Sequence, residues 1–363
     1  MKSLPRSAGG AGYARSERYH RWRKTLDALT RRLISLGGIS VILAVVLILF
    51  YLVYVVIPLF LPASAERESL GQRAEWAGQQ VLYSAVEEQL EVGLRVNTDG
   101  TAEFYRLEGL GRVSTQRLLP EGQRLVAATE ASQGNGAIAV ASESGDYLVF
   151  RHRYETNFDD GVALRTVVPT IEYPYGQVWR PLTNGEQITS LAVSDGDDAV
   201  VIAAAVPGAL RIEISTKQEN FLTGEVSLTP RRLEAETSYT ATGLGISGNH
   251  QWLYVSDHQG RVHMYRLRDL QEVQAAQATD RPITSLGMLL GGISVLAGDD
   301  AGGIAQLFPV RDDENQYSLE LVRRFDALGA PIVRIIPEYR RKGFVAFAEN
   351  GELGVYHSTA GQQ

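Results

Sequence analysis

The sequence predicts a mainly β protein, a β-propeller of four-stranded blades preceded by one transmembrane α-helix. Three observations predict it. A long apolar segment free of charge lies near the N-terminus. Six glycine-centred hairpins then recur at intervals close to the length of one propeller blade. Beyond residue 75, no segment of helical length shows a three-to-four apolar periodicity.

The chain opens on a basic arm. Residues 1–32 carry Lys2, Arg6, Arg15, Arg18, Arg21, Arg23, Lys24, Arg31 and Arg32 against Glu17 and Asp27, a local balance of +7 in a chain of formal net charge −7. The other 331 residues therefore hold −14. That acidic bulk argues against a nucleic-acid partner, because phosphate binding draws on Lys and Arg. Zero cysteines exclude disulfide scaffolds, thiolate zinc sites, iron–sulfur clusters and cysteine nucleophiles.

From Leu33 to Ala65 no residue is charged, and the stretch is dense in Leu, Ile and Val. At a rise of about 1.5 Å per residue, roughly 20 residues cross a bilayer core. Residues 33–61 are therefore predicted to span a membrane, with Tyr51 and Tyr54 toward the outer interface. Excess positive charge marks the cytoplasmic side, so the arm stays in the cytoplasm and everything after Ala65 lies outside. Ala63-Ser64-Ala65 also fits a signal-peptidase site. Signal-peptide apolar regions run only about 7–15 residues, however, so an uncleaved anchor is the favoured reading. The predicted organisation is an arm at 1–32, a span at 33–61, a linker at 62–78 and a propeller at 79–363.

The hairpins centre on Gly100, Gly145, Gly208, Gly260, Gly303 and Gly351, separated by 45, 63, 52, 43 and 48 residues. Four positions after each glycine stand Phe104, Val149, Ile212, Met264, Leu307 and Val355, all apolar. Five positions after stand Tyr105, Phe150, Glu213, Tyr265, Phe308 and Tyr356, aromatic in five of six although aromatics make up 8% of the chain. Glycine takes positive φ at low cost, and the polar residues before it close a tight turn. A second strand precedes each turn (199–205, 252–255, 293–297, 344–348) and a third lies further upstream (188–194, 242–248, 283–289, 332–338). A fourth follows at 224–235 and 317–325, which completes the strand count of a propeller blade. Six blades are visible and a seventh is expected to complete the ring. Only twelve residues follow Gly351, so the last blade is expected to be incomplete, with 79–88 a candidate closing strand.

The glycine with its apolar and aromatic followers resembles the third strand of a WD40 blade. Arg106, Arg151, Arg266 and His357 stand where that family places Asp, and no Gly-His dipeptide opens the blades. The order of basic arm, single span and propeller also resembles the N-terminal part of long-form bacterial phosphate ABC-transporter permeases. That resemblance implies the bacterial inner membrane, a periplasmic main domain, and the transporter subunits and solute-binding protein as partners beside the lipid bilayer. No later segment is apolar enough to supply the permease core, so the chain reads as a piece of such a permease or a stand-alone relative.

Catalysis has no candidate. The sequence contains no G-x-S-x-G, H-E-x-x-H or phosphate-loop pattern. His258 and His263 with Asp257 form a weak metal reading, and the acidic stretches 194–198, 298–303 and 311–315 read as turns. No cofactor is expected. The candidate partner-binding residues are Tyr173, Tyr175 and Trp179, set between prolines in the widest interval. The alternative is that they fold back on their own blade. The expected function is a non-catalytic docking or regulatory domain of a phosphate-type importer. Alternatives are a stand-alone envelope scaffold or, less favoured, a propeller enzyme.

Overall fold

Good helix formers fill the arm as well as the apolar segment, so one helix runs through both. The computed structural model describes residues 12–60, 73–131, 136–158, 165–220, 222, 226–338 and 340–358. Helix α1 covers Gly12–Val56 and passes into a short 3-10 turn at Ile57–Phe60. Trp22–Val56 is long and apolar enough to cross a membrane; its most apolar stretch of 18 residues has a mean hydropathy of 3.1, and none of that stretch is buried. Helix therefore begins well upstream of the predicted span. The first part of the arm, and residues 61–72 of the predicted linker, lie outside the described residues. The chain divides into two units, Met1–Ser69 and Leu70–Gln363.

The second unit is a run of antiparallel meanders. Sheet 1 holds β1 (Val81–Val86), β2 (Val92–Asn97), β3 (Thr101–Arg106) and β4 (Arg112–Arg117). Sheet 2 holds β5 (Leu125–Glu130), β6 (Ile138–Ser142), β7 (Asp146–Phe158) and β8 (Arg165–Glu172), with β9 (Arg180–Pro181) pairing β7. Sheet 3 holds β10 (Ser190–Asp195), β11 (Ala199–Val206), β12 (Ala209–Glu219) and β13 (Val226–Glu236). Sheet 4 holds β14 (Ala241–Ile246), β15 (Trp252–Asp257), β16 (Arg261–Arg266) and β17 (Gln271–Gln277). Sheet 5 holds β18 (Ile283–Met288), β19 (Val295–Asp299), β20 (Ile304–Arg311) and β21 (Tyr317–Phe325). Sheet 6 has three strands, β22 (Ile332–Pro337), β23 (Gly343–Ala348) and β24 (Leu353–His357).

The first strands of successive sheets pack side by side, β1 on β5, β5 on β10, and so on to β22. Thr284 Oγ1 on β18 donates to Ile332 O on β22 at 2.7 Å. Five apolar clusters fill the spaces between consecutive sheets. This is the blade stacking of a propeller, and it explains the near-continuous apolar character of β6, β11 and β15, which are covered on both faces. Each fully buried Leu, Ile or Phe in these layers contributes about 1.5–3 kcal/mol.

Three details differ from the sequence reading. The segment 79–88 forms β1, the innermost strand of sheet 1, paired with β2 rather than closing the last sheet. Six sheets contain the strands among the described residues, and the expected seventh is not among them. In the fifth hairpin the positive-φ glycine is Gly302 (φ 87°), not Gly303. Counted from Gly302, the position of Tyr265 belongs to Leu307, fully buried, while Phe308 is 38% exposed. Two adjacent glycines conceal that one-residue frame in the sequence.

The seam of the fan lies between sheets 6 and 1. One face of sheet 6 packs on sheet 5, while Ile336, Leu353 and Val355 on the other are between 41% and 51% exposed. Across the seam, the free face of sheet 1 is covered by Arg73 and Trp76. Trp76 Nε1 donates to Glu103 Oε2 at 3.1 Å, and its ring meets Tyr105 edge-on and lies under Arg95. At the inner edge, the Arg334 guanidinium of β22 stands 6.0 Å from the Tyr83 ring of β1.

Candidate functional site

Sheets 2 and 3 depart from the blade pattern in the same place. Their third strands, β7 and β12, run 13 and 11 residues, and their partners β8 and β13 follow them outward. The two arms leave a cleft of about 770 Å³ lined by Arg151, Glu172, Tyr175 and Lys217 among others. Behind the lining residues Arg151, Tyr175 and Lys217 lies Asp195, the last residue of β10, with a fully buried carboxylate. Arg151 Nη2 donates to Asp195 Oδ2 at 2.8 Å, and Lys217 Nζ to Asp195 Oδ1 at 2.5 Å. Tyr175 donates its hydroxyl to Asp195 Oδ1 at 2.7 Å. Burial, and then the Asp195 hydrogen bond, push the Tyr175 phenol far above its usual range, so it stays a donor.

The three aromatic candidates are thereby separated in role. Tyr173 accepts from Gln116 Nε2 at 2.9 Å, and Trp179 Nε1 donates to Leu118 O at 3.1 Å, both toward sheet 1. Both rings pack on the core between sheets 1 and 2, and Tyr175 packs on the core between sheets 2 and 3. They fold back and fasten the 173–181 loop across three sheets. Only the loop's tip is open, with Val178 58% exposed. Of the three, Tyr175 alone lines the cleft.

The histidines behave differently from a ligand set. His263 Nε2 faces Asp257 Oδ2 at 3.0 Å and its Nδ1 faces Glu272 Oε1 at 2.7 Å. The ring stacks on Tyr239 at 3.7 Å, and the Tyr239 and Tyr265 hydroxyls share a 2.7 Å hydrogen bond. Burial raises the Tyr265 phenol to about 12. His258 instead lines a separate loop-side cleft with Asp257. Glu272 escaped the sequence reading because a bulge between Met264 and Tyr265 shifts the pairing of β16 with β17.

The acidic stretches are turns, as expected, with one exception. Asp299 Oδ1 accepts from the backbone N–H groups of Ala301 and Gly303, and Asp312 Oδ1 from those of Glu314 and Gln316. Asp195 is the exception, buried behind the lining of the cleft. Arg151 is likewise unlike its counterparts in the position directly after the aromatic. Arg106 and His357 end their strands exposed, and Arg266 pairs with Asp269 in its own hairpin, whereas Arg151 lies mid-strand with a 16% exposed side chain.

These features define the class: a β-propeller behind one N-terminal helix long and apolar enough for a membrane span. Among solved structures, the chain is similar to the β-propeller domain of Cps50 (Swd1) from Myceliophteria thermophila. The identity is 12% and the TM-score 0.43, over 77% of this chain and 98% of that one. No protein-family model matches the sequence. No curated protein matches it either. A propeller presents rigid loops and blade faces to partners, a fold suited to protein–protein interaction.

Proposed function

We propose that the chain is a membrane-anchored, non-catalytic propeller that serves a phosphate-type ABC importer as a docking or regulatory domain. On this reading the N-terminus is cytoplasmic, α1 crosses the bacterial inner membrane once, and the propeller lies in the periplasm. There it contacts the transporter subunits and the solute-binding protein. The observation that carries the reading is the pairing in one chain of an unburied, strongly apolar helix behind a basic arm with an acidic propeller. Its conserved-fold rigidity suits docking, and no catalytic pattern in the sequence competes with that role.

The absence of cysteine makes the topology directly testable. Single cysteines at Ser3 and at the exposed Ser114 are probed in intact cells with a membrane-impermeant thiol reagent. Labelling at Ser114 alone is expected, and labelling at Ser3 overturns the orientation. Cross-linked membranes are then solubilised and the chain captured. Recovery of transporter subunits is expected, whereas recovery of envelope proteins without them favours the stand-alone scaffold.

A further inference from the structure

The lining of the cleft between the two arms carries two cations, Arg151 and Lys217, that share the buried carboxylate of Asp195 behind them. Lys217 has three N–H groups and directs one to Asp195 and one to Gly196 O at 2.6 Å. Arg151 gives Nη2 to Asp195, while its buried Nε has no hydrogen-bond acceptor among the described residues. That Nε is closed off from the cleft, so the donors an arriving acceptor can meet are the third N–H of Lys217 and the rest of the Arg151 guanidinium, both residues lining the cleft. Among the described residues the cleft wall holds one carboxylate, Glu172, and Arg153 engages it. The wall therefore presents Arg151 and Lys217 against Glu172, above a carboxylate already shared by both cations.

We propose that this cleft binds an oxyanion, a carboxylate or a phosphate group, held by Arg151 and Lys217. Two cations share one carboxylate, Asp195, which leaves an excess of one positive charge at short range, and screening removes distant charges beyond about 8–10 Å. Arg151 offers the guanidinium N–H groups it does not give to Asp195, and Lys217 a point charge beside them. Tyr175 holds Asp195 in place, and the Lys217 ammonium lies 5.5 Å from its ring centroid, which limits the swing of the lysine. Asp195 thus acts as an internal occupant that keeps the two cations together and competes with the ligand. The site does not depend on the transport reading and stands or falls separately from it.

The test titrates inorganic phosphate and succinate separately into the detergent-solubilised full chain by calorimetry. Saturable binding of at least one, with a Kd below about 1 mM, is expected. Lys217→Met should weaken it at least tenfold, and Lys217→Arg should largely restore it. Asp195→Asn removes the competing charge while keeping an acceptor for Tyr175, and should tighten binding severalfold. Phosphate binding alone identifies a phosphate site and succinate binding alone a carboxylate site, each supporting the proposal if it follows this variant pattern. No saturable binding of either anion overturns it. So does binding indifferent to Lys217→Met in a variant that keeps the wild-type circular dichroism and melting temperature, or weakening by Asp195→Asn.

Discussion

Tyr147 on β7 donates its hydroxyl to Glu213 Oε1 on β12 at 2.6 Å, joining neighbouring blades through a hydrogen bond buried at both ends. Glu213 is the one charged residue in the column where Tyr105, Phe150, Tyr265, Leu307 and Tyr356 stand. Its carboxylate, 1% exposed, also accepts from Ser215 and Arg232. Burial and the Glu213 contact raise the Tyr147 phenol far above its usual range, so the donor persists across ordinary pH. An ionised group in an apolar layer is tolerated only with such partners.

Removing one partner should therefore cost more than removing both. Tyr147→Phe is expected to lower stability by about 1–3 kcal/mol by leaving a buried carboxylate oxygen short of a donor. The double variant Tyr147→Phe with Glu213→Leu should be less destabilised than the sum of the singles. Urea midpoints for the four proteins measure the coupling, and strict additivity would count against it.

The hairpin glycines are not equivalent. At Gly260 (φ 78°) an added Cβ would lie 2.0 Å from Thr279 O, a backbone atom with no room to yield. At Gly351 (φ 84°) it would meet nothing within 4 Å. Gly351→Ala should cost about 1–2 kcal/mol from the left-handed conformation alone. Gly260→Ala should cost at least about 3 kcal/mol, because the turn itself must move. Thermal melts of the two variants decide the ranking.

Stability should fall in mild acid. Burial lowers the pKa of His250, opposed by Asp195 and Asp198 and assisted by Lys217, and its Nε2 meets Ser194 Oγ at 2.9 Å. Burial also lowers His152, opposed by Glu130. In both, the unfolded state binds the proton more readily, so stability is full above about pH 6.5 and declines as the pH drops toward the folded values. His250→Asn suits the left-handed backbone there (φ 54°) and should flatten part of that slope, leaving the His152 share. Melting temperatures across pH 5 to 8 would show an unchanged slope if His250 were not responsible.

The 173–181 loop is fastened to neighbouring sheets by its aromatics. Trp179→Phe removes the donor to Leu118 O and should cost about 0.5–1.5 kcal/mol. Faster amide exchange is expected in 173–181, and also at 116–118 on the sheet 1 side. A variant with unchanged exchange but weaker capture of partner proteins would instead favour the partner-binding reading.

The apolar span, the repeating hairpin and most strand positions were legible in the sequence, because charge, period-two alternation and glycine turns are local properties. The strands expected at 199–205 and 317–325 correspond to β11 and β21. Tertiary structure alone brought Asp195 together with Arg151, 44 residues away, and Lys217, 22 residues away. It also set Glu272 beside His263 and chose Gly302 over Gly303. Those outcomes depend on strand register, on a bulge, and on how far the arms of sheets 2 and 3 overshoot their blades. Such quantities arise only when sheets stack, since hydrogen-bond pairing and the burial of charge couple residues that no local pattern connects.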